Sequence, residues 1–307
     1  MGASGGEARA LPAMYESAVV EALQAHTEMT RGPYLIQGPA QISFSGGRSS
    51  AMMLCKIVEA HGGTLPGDVY TTFANTGKEH EATLVFADRV AKHLGVTVRW
   101  VEFQPDGEKQ KDRWQEVTFD TASRNGEPFT SCITQRGYLP NPVARICTQH
   151  LKIKPMEALM RTYGFGRVEK KDYSNVSGIR SDEPRRVAKM RARTDVDFVL
   201  PLADAGVTAA DVVAFWKAMP FDLELPSVNG ETIGGNCDLC YLKGATKLLH
   251  LIREKPSRAD WWIEQEASGK LFRIDRPNYA TLKLIATQPQ LFDAEEGEDA
   301  QPCECTD

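Results

Sequence analysis

The sequence contains no apolar run of about 18 residues, the length that a helix needs to span a membrane. Residues 1–13 are small and polar, and they lack the basic and then apolar profile of a secretory signal peptide. The two absences argue against a membrane or exported protein. They predict a cytoplasmic protein with no membrane partner, in which residues 1–13 form a disordered leader.

Excess positive charge is also missing, because 36 Lys and Arg stand against 41 Asp and Glu, a net charge of −5. The whole molecule therefore has no general attraction to nucleic acid or to anionic membranes. Positive charge is nevertheless concentrated in Arg180, Arg185, Arg186, Lys189, Arg191 and Arg193, interrupted only by Asp182 and Glu183. This stretch predicts a clamp on nucleotide phosphates, a contact to a nucleic-acid backbone, or a solvated basic helix.

The cysteine count is odd, at seven in 307 residues, which argues against a framework of disulfides. In a reducing compartment, clustered cysteines more often hold a metal or perform sulfur chemistry. Cys55 lies between apolar residues of a predicted helix, so we expect a small buried side chain there.

Strands and helices alternate along the first half of the chain. Short apolar runs predict strands at residues 41–45, 68–74, 96–103 and 173–177, and helical spacing predicts helices at 14–28, 49–61, 81–94 and 152–163. Residues 109–142 are less regular and predict an excursion over the site. The order indicates an α/β fold with a doubly wound, mainly parallel sheet and a ligand at the carboxyl ends of its strands.

The second half of the chain reads as a smaller, mostly helical, Cys-containing part, with helices expected at residues 208–219, 243–254 and 258–268. Thr208 is a plausible N-cap for the first of these helices. We predict a leader and N-terminal helix at 1–37, a nucleotide-binding domain at 38–200, the helical Cys-containing region at 201–290, and an acidic flexible tail with a Cys-x-Cys pair at 291–307.

A glycine turn joins the first predicted strand to the next helix, in the run Ser45, Gly46, Gly47, Arg48, Ser49 and Ser50. Glycines let the backbone approach a ligand closely, and a helix N-terminus presents unpaired N–H groups to phosphate. The spacing is not that of a Walker A loop. The alternative is an ordinary tight turn with two glycines.

Three further motifs follow in order: Asn75-Thr76-Gly77-Lys78-Glu79, Arg145-Ile146-Cys147-Thr148 with Leu151-Lys152, and Gly178-Ile179-Arg180-Ser181-Asp182-Glu183. Together with the glycine turn, they resemble the PP-loop ATP pyrophosphatase superfamily, in its phosphoadenosine-phosphosulfate reductase-like family. Cys237-Asp238-Leu239-Cys240 late in the chain looks closer to the DNA-sulfur-modification and thiolation relatives than to the assimilatory reductases.

The resemblance implies an adenine nucleotide alpha hydrolase-like fold, with ATP or a related adenine nucleotide across the carboxyl edge of the sheet. It places the phosphates on residues 45–50 and the rest of the nucleotide near Asn75, Thr76, Gly77, Glu79, Gly178, Ile179 and Arg180. Many ATP-cleaving members carry aspartate where this chain has Ser49, which cannot bind Mg²⁺ as a carboxylate does. Glu79 and Asp182 are the possible substitutes.

The pair Cys237 and Cys240 has the two-residue spacing that brings both thiolates to one metal ion or cluster. In this family's layout Cys147 borders the nucleotide cleft and would supply a third thiolate. Cys305, Cys303 or Cys132 would supply a fourth. Three ligands imply a [4Fe–4S] cluster with one open iron, four imply a closed cluster or a zinc site, and unligated redox-active thiols are the other alternative.

The leading functional hypothesis is adenylation of an acceptor at the α-phosphate of ATP, followed by sulfur transfer, with Arg48, Ser49 and Cys147 as catalytic residues. The acceptor on this pattern is a nucleic-acid backbone or a tRNA base, and sulfur comes from a donor protein. The alternatives are a sulfonucleotide reductase that uses a thioredoxin-like reductant, and a nucleotide-binding Fe–S sensor or assembly subunit without turnover.

Histidines and tryptophans near these motifs carry weaker signals. His80 and His150 have no partner identifiable from spacing, so we expect solvent-exposed positions for both. Trp261 and Trp262 are adjacent on a predicted helix, so at least one is expected in the core.

Overall fold

The computed structural model describes residues 32–107, 109, 113–166, 172–228 and 231–288. The predicted leader, the helix at residues 14–28, and the acidic tail with Cys303 and Cys305 lie outside the described residues.

A six-stranded sheet forms the centre of the molecule, in the order β4-β3-β2-β1-β5-β6. Its strands are β1 (Ala40–Ser43), β2 (Val69–Asn75), β3 (Val98–Phe103), β4 (Trp114–Val117), β5 (Ser174–Ser177) and β6 (Asp197–Val199). All neighbouring pairs are parallel except β3 with β4, which is antiparallel at the edge. The α/β class and the mainly parallel sheet are therefore confirmed.

Helices follow most strands, as the alternating pattern predicts. They are α1 (Arg48–Ala60), α2 (Glu81–Leu94), α3 (Glu127–Arg136), α4 (Lys154–Thr162), α5 (Pro184–Arg191), α6 (Pro201–Asp204), α7 (Ala209–Ala218), α8 (Ala245–Glu254), α9 (Asp260–Glu266) and α10 (Tyr279–Thr287). A π-helical segment, Thr148–Ile153, leads into α4. None of the described helices is both long and apolar enough to span a lipid bilayer.

Helices cover both faces of the sheet. Alternate residues of β1 face opposite sides, and each side packs against different helices. Ala40 and Ile42 lie in one hydrophobic cluster with α1 and with Trp216 of α7. On the other face, the Thr72 hydroxyl contacts the Met156 sulfur of α4 at 3.3 Å. The arrangement is compatible with the predicted doubly wound sheet.

The strand order reverses at β1. From β1 the chain moves outward to β2 and β3, whereas β5 lies on the other side of β1 and continues to β6. In open α/β sheets, such a switch point leaves a crevice at the carboxyl ends of the two strands. The loop after β1 and the loop after β5 therefore meet where a ligand is expected.

Two large hydrophobic clusters organise the described residues. The first contains the sheet, α1, α2 and α7, and it extends to Leu225. The second joins α3 to α8, α9 and α10, with Trp262 and Tyr279 among its fully buried side chains. Residues 202–225 thus pack with the sheet. The boundary near Leu200 stays a prediction.

Several elements differ from the sequence prediction. Residues 109–142 were expected to be irregular, but they contain β4 and α3. The strand β6 and the helix α10 were not predicted. The Thr208 N-cap is confirmed, because its side chain and that of Asp211 form a reciprocal capping box.

Candidate functional site

The glycine loop after β1 is folded by its own serines. The Ser45 amide donates to the Ser50 hydroxyl at 3.2 Å, the two hydroxyls lie 2.9 Å apart, and Ser50 Oγ donates to the Gly47 carbonyl at 3.1 Å. Gly46 has a φ of 75°, a left-handed conformation that favours glycine. The loop is therefore a preformed turn that delivers the chain into α1.

A cavity of about 440 Å³ opens beside this loop. The residues that line it come from the loop, from α2, from the segment after β5 and from α7, together with Leu223, Thr232, Gly235 and Asn236. The N-cap of α1 is Gly47, which makes no side-chain capping bond. The first turn of α1 thus has N–H groups that its cap does not satisfy, beside a cavity of the size that ligands occupy.

Thr83, in the first turn of α2, also lines the cavity. Its side chain is only 3% exposed, and its hydroxyl oxygen has no hydrogen-bond partner among the described residues. A buried hydroxyl without a partner costs about 1–3 kcal/mol unless a ligand or water satisfies it. Thr83 is a site residue that sequence reasoning missed, since a single threonine in a helix carries no signal.

Arg180 and Ser49 bring the two loops of the switch point together. Arg180 Nη1 donates to Ser49 Oγ at 3.2 Å, and Arg180 Nε donates to Asp182 at 2.9 Å. Asp182 lines the cavity and accepts a further hydrogen bond from the Ala209 amide at 2.8 Å. Residues 45–50 and the loop after β5 therefore contact each other, with a carboxylate and a guanidinium at the cavity wall.

Arg48 is held by a distant segment. Its guanidinium makes two bonds to the Asp222 carboxylate, at 2.7 and 2.8 Å, and donates to the Leu223 carbonyl at 2.8 Å and to Thr232 Oγ1 at 3.2 Å. The Trp216 indole donates to the Arg48 carbonyl. Arg48 thus holds Asp222, Leu223 and Thr232 beside the loop. Its pairing with Asp222, 174 positions away, was not visible in the sequence.

The Asn-Thr-Gly-Lys-Glu motif after β2 forms a separate, closed network. Asn75 is fully buried and donates to Glu102 at 2.5 Å and to the Ser123 carbonyl at 2.8 Å. The Glu79 carboxylate accepts from the Thr76 amide and hydroxyl. Asn75, Thr76, Gly77 and Glu79 are not among the described residues that line the 440 Å³ cavity, and neither are Gly178 and Ile179. Of the two carboxylates considered for Mg²⁺, Asp182 is the one at the cavity.

The Cys237 segment lies against this motif. Cys237 and Glu79 form an isolated antiparallel bridge, and Thr76 Oγ1 lies 3.4 Å from Cys237 Sγ. Burial raises the pKa of the Cys237 thiol; Glu79 and Cys147 add to the rise, while Lys152 and Thr76 oppose it. The Cys237 thiol is thus buried beside this motif, in surroundings that disfavour its thiolate.

Cys147 lies at the edge of the second hydrophobic cluster, and its sulfur is 3.4 Å from the Tyr241 hydroxyl. Cys237 and Cys240 are buried in the same cluster. Within the described part of the chain, no three His, Cys, Asp or Glu side chains are placed to hold one metal ion. The arrangement as it stands does not form a ligand set, and Cys305 lies outside the described residues.

The other two described cysteines are buried. Cys55 is 9% exposed within α1, as expected for a small apolar side chain, and Cys132 is fully buried in α3. Burial raises the pKa of each thiol to about 12. Neither is a reactive thiolate at neutral pH. Trp262 is fully buried, which confirms the expectation of a core tryptophan.

His150 is buried, so its predicted exposed position is wrong. It is 7% exposed, and its Nδ1 accepts a hydrogen bond from the Arg136 guanidinium at 2.8 Å. Burial lowers the His150 pKa to about 4, and Lys154, Arg136 and Arg113 reinforce the shift. The imidazole is therefore neutral at physiological pH. His80 is half-buried at the N-terminus of α2, where it caps the Ala82 amide.

Protein stability is expected to fall as the pH drops from about 6.5 to about 4 in a way that depends on His150. The unfolded chain binds the proton in that window and the folded one does not, so stability present above pH 6.5 is lost on acidification. The loss is at most about 3 kcal/mol for a shift of this size. Urea unfolding of the wild type and His150→Asn, which keeps an acceptor for Arg136, measures it.

The control is His250→Asn, because His250 is exposed on α8. His250→Asn is expected to keep the pH dependence of the wild type, whereas His150→Asn flattens it. Equal slopes for all three proteins between pH 7 and 5 would contradict the assignment of a neutral buried His150.

Comparison with known proteins places the chain in a family. No protein-family model matches the sequence. A protein of Escherichia phage lambda, described as "uncharacterized nin region protein ORF290", is 30% identical over 211 residues, which are 67% of this chain and 67% of the phage protein. The chain belongs to the family of this phage lambda protein. The relationship covers two thirds of both chains.

Proposed function

We propose that this protein is a PP-loop enzyme that binds ATP or a related adenine nucleotide, cleaves it at the α-phosphate and supports sulfur transfer to an acceptor. The observation that carries the proposal is the loop of residues 45–50. It lies at the switch point of the sheet, and α1 begins there without a side-chain cap, beside a cavity that also contains Arg180. Uncapped helix N-termini and guanidinium groups both favour phosphate.

Different residues of the cavity would bind different parts of the nucleotide. The loop amides and Ser49 would hold phosphate oxygens, Arg180 would neutralise charge at the phosphate, and the Thr83 hydroxyl would gain the partner that it lacks. Arg48, bound to Asp222, would position Asp222, Leu223 and Thr232 rather than contact phosphate directly. Asp182 would hold Mg²⁺ through oxygens that retain a second lone pair.

The chemistry would proceed in two steps. An oxygen of the acceptor attacks the α-phosphorus, a new P–O bond forms, and the bond to the β-phosphate breaks with release of pyrophosphate. A hydrosulfide equivalent from a sulfur-donor protein then forms a bond to the activated acceptor, and AMP leaves with the electron pair of the broken bond. Adenylation makes this second step feasible because AMP is a good leaving group.

Cys147 is the candidate thiol for sulfur transfer, because it is half-buried, whereas burial raises the pKa of Cys237. No step is assigned to a cluster, since the described residues do not assemble three metal ligands. A [4Fe–4S] cluster or a zinc ion on Cys147, Cys237, Cys240 and Cys305 stays a prediction. Iron, sulfide and zinc analysis of protein purified without oxygen tests it.

The test of the proposed function is nucleotide binding and pyrophosphate release by the full chain with ATP and Mg²⁺. Arg180→Ala is expected to weaken ATP binding about tenfold or more, because a hydrogen bond to a charged group contributes about 1.5–3 kcal/mol. Arg185→Ala is the matched control, since Arg185 is exposed on α5 and is not among the residues of the cavity. Equal affinities for the two variants, with unchanged thermal stability, would refute the assignment.

The second candidate is binding of the nucleotide without turnover, as in a sensor or assembly subunit. It is favoured by Ser49, which provides no carboxylate, and by the two N–H donors that already contact Asp182. ATP binding by the wild type without pyrophosphate release for any acceptor, including single-stranded DNA and tRNA, would select this candidate. Thioredoxin-dependent sulfite release from an adenylylated sulfate would instead select the reductase.

A further inference from the structure

A second cavity, with a volume of about 770 Å³, lies on the face of the sheet that α4 covers. Its floor includes Gln41 and Ser43 of β1 and Asn175 of β5. Its walls come from the loop before Cys147, from the π-helical segment and from α5 and β6. None of the motif residues at positions 45–50 lines it, so the cavity is separate from the one beside the glycine loop.

The floor of this cavity is polar where a parallel sheet is usually apolar. Central parallel strands are covered on both faces and are commonly built from Val, Ile and Leu. Here Gln41 and Ser43 are 1% and 5% exposed, and they pair in register with Asn175 and Ser177 of β5. Such a floor suits a ligand with hydrogen-bonding groups.

The walls are predominantly basic. Arg145, Lys152, Lys189 and Arg193 line the cavity against a single carboxylate, Glu157. Arg193 pairs with Asp195, which lowers the excess of positive charge, whereas the Glu157 carboxylate pairs with Arg161 and so offsets less of it. In a protein with a net charge of −5, this local excess of positive charge indicates an anionic ligand.

The rim carries exposed apolar surface. Tyr138 is 43% exposed and Val143 is 95% exposed, and both line the cavity. An exposed aromatic ring beside a basic groove is the combination that binds single-stranded nucleic acids, where the ring stacks on a base and the cations follow the backbone. The polar floor would then meet the edge of a base that enters the cavity.

We propose that the 770 Å³ cavity binds a nucleotide unit of a single-stranded nucleic acid. The cavity lies next to Cys147, because Ile146 and Thr148, on either side of it in the sequence, line the cavity. Its role as the acceptor site rests on the proposed function. Binding of the strand itself does not, and the two are tested separately.

The test is fluorescence anisotropy of the full chain with labelled oligothymidylate and oligouridylate of about 12 nucleotides, without ATP. Tyr138→Ala is expected to weaken binding about tenfold or more, the usual scale for a lost stacking contact. Tyr138→Phe keeps the ring and is expected to bind as the wild type does. The two oligonucleotides distinguish DNA from RNA as the source of the strand.

The contribution of the basic wall to strand binding is tested by Lys189→Ala. Lys217→Ala, on the exposed side of α7, is the matched control. Lys189→Ala is expected to weaken binding and to reduce the slope of log affinity against log salt by about 0.7, the value for one phosphate contact to a single strand. Lys217→Ala is expected to change neither. Equal effects of the two substitutions would overturn the proposal.

Oligonucleotide binding by Arg180→Ala and competition by ATP distinguish this proposal from the proposed function. Arg180→Ala is expected to retain oligonucleotide binding, because Arg180 does not line this cavity. Oligonucleotide binding in a protein that never releases pyrophosphate would support the strand site and refute the proposed enzyme. Displacement of the oligonucleotide by ATP, or no binding of either oligonucleotide, would overturn the strand site.

Discussion

Gly46→Ala is expected to destabilise the protein by about 2–5 kcal/mol, more than any other single-methyl addition in the glycine loop. Gly46 has a φ of 75°, where an L-residue costs about 1–2 kcal/mol. A Cβ there would lie 2.8 Å from Thr83 Cγ2 and 3.0 Å from Phe73 Cε2. Neither neighbour can move freely, because Phe73 is a core side chain and Thr83 is buried in α2. Overpacking of this kind adds about 1–3 kcal/mol.

Gly47→Ala is the matched control, one residue away. Gly47 has a φ of −91° and a ψ of 163°, an extended conformation open to any residue. The nearest atom to a Cβ at this position is Ser45 Oγ at 3.5 Å, an ordinary contact. We expect a loss of no more than about 1 kcal/mol, mainly because alanine is a poor N-cap.

The measurement is urea unfolding of the wild type and both variants at one pH. A clear separation between the two alanine variants would show that the loop has the described backbone in solution. If both lost the same small amount, Gly46 would not adopt the left-handed conformation, and the shape of the candidate phosphate site would be wrong. This comparison does not depend on any ligand.

Local patterns predicted the part of the fold around this loop. The helix expected at residues 81–94 is found as Glu81–Leu94, and the predicted helix at 49–61 is found as Arg48–Ala60. Both have regular apolar spacing and a clear boundary: glycines precede α1, and a left-handed Gly95 ends α2. Such elements can be read from sequence because their signals lie within a few residues.

Other elements depend on partners far away in the chain. The strand β4 has four residues and pairs only at the sheet edge, so its alternation is too short to be recognised without β3. The helix α10 has an Asn278 cap, but its stability comes from Tyr279 and Leu282 in the second cluster. Tertiary packing decides such segments, and propensity alone does not.

The candidate site likewise contains some features that the sequence predicts and others that depend on residues far apart in the chain. The resemblance implies that the glycine loop and residues 178–180 lie at one nucleotide, and in the structure Arg180 reaches Ser49. The bond between Arg48 and Asp222 and the polar floor around Gln41 were not predicted. The first joins residues 174 positions apart, and the second is visible only when β1 and β5 are in register.

Glu102→Gln is expected to cost about 2–4 kcal/mol, because it breaks a buried network in which four hydrogen bonds converge on one carboxylate. Glu102 is fully buried in β3. Its two oxygens accept from Asn75 Nδ2 at 2.5 Å, from the Ser123 amide at 2.7 Å, from the Ser123 hydroxyl at 2.9 Å and from Gln115 Nε2 at 3.4 Å. An amide of the same shape turns one acceptor into a donor that faces other donors.

The control for this change is Glu116→Gln in β4, the strand that pairs with β3. The Glu116 side chain is 40% exposed and makes an ion pair with Arg99 at 3.1 Å. An exposed pair contributes at most about 1 kcal/mol, so little stability should be lost. Urea unfolding at neutral pH compares the two isosteric substitutions on the same edge of the sheet.

The consequence of Glu102→Gln reaches the motif after β2. The Asn75 side chain donates to Glu102 and to the Ser123 carbonyl. Its Oδ1 accepts from the Gly77 amide at 3.2 Å. If Asn75 loses its strongest partner, the turn that carries Thr76 and Glu79 loosens, and with it the contact to Cys237. Faster alkylation of Cys237 in the Glu102→Gln protein, but not in Glu116→Gln, is therefore expected. Unchanged stability and unchanged alkylation together would show that this buried carboxylate does not organise the cysteine side of the cleft.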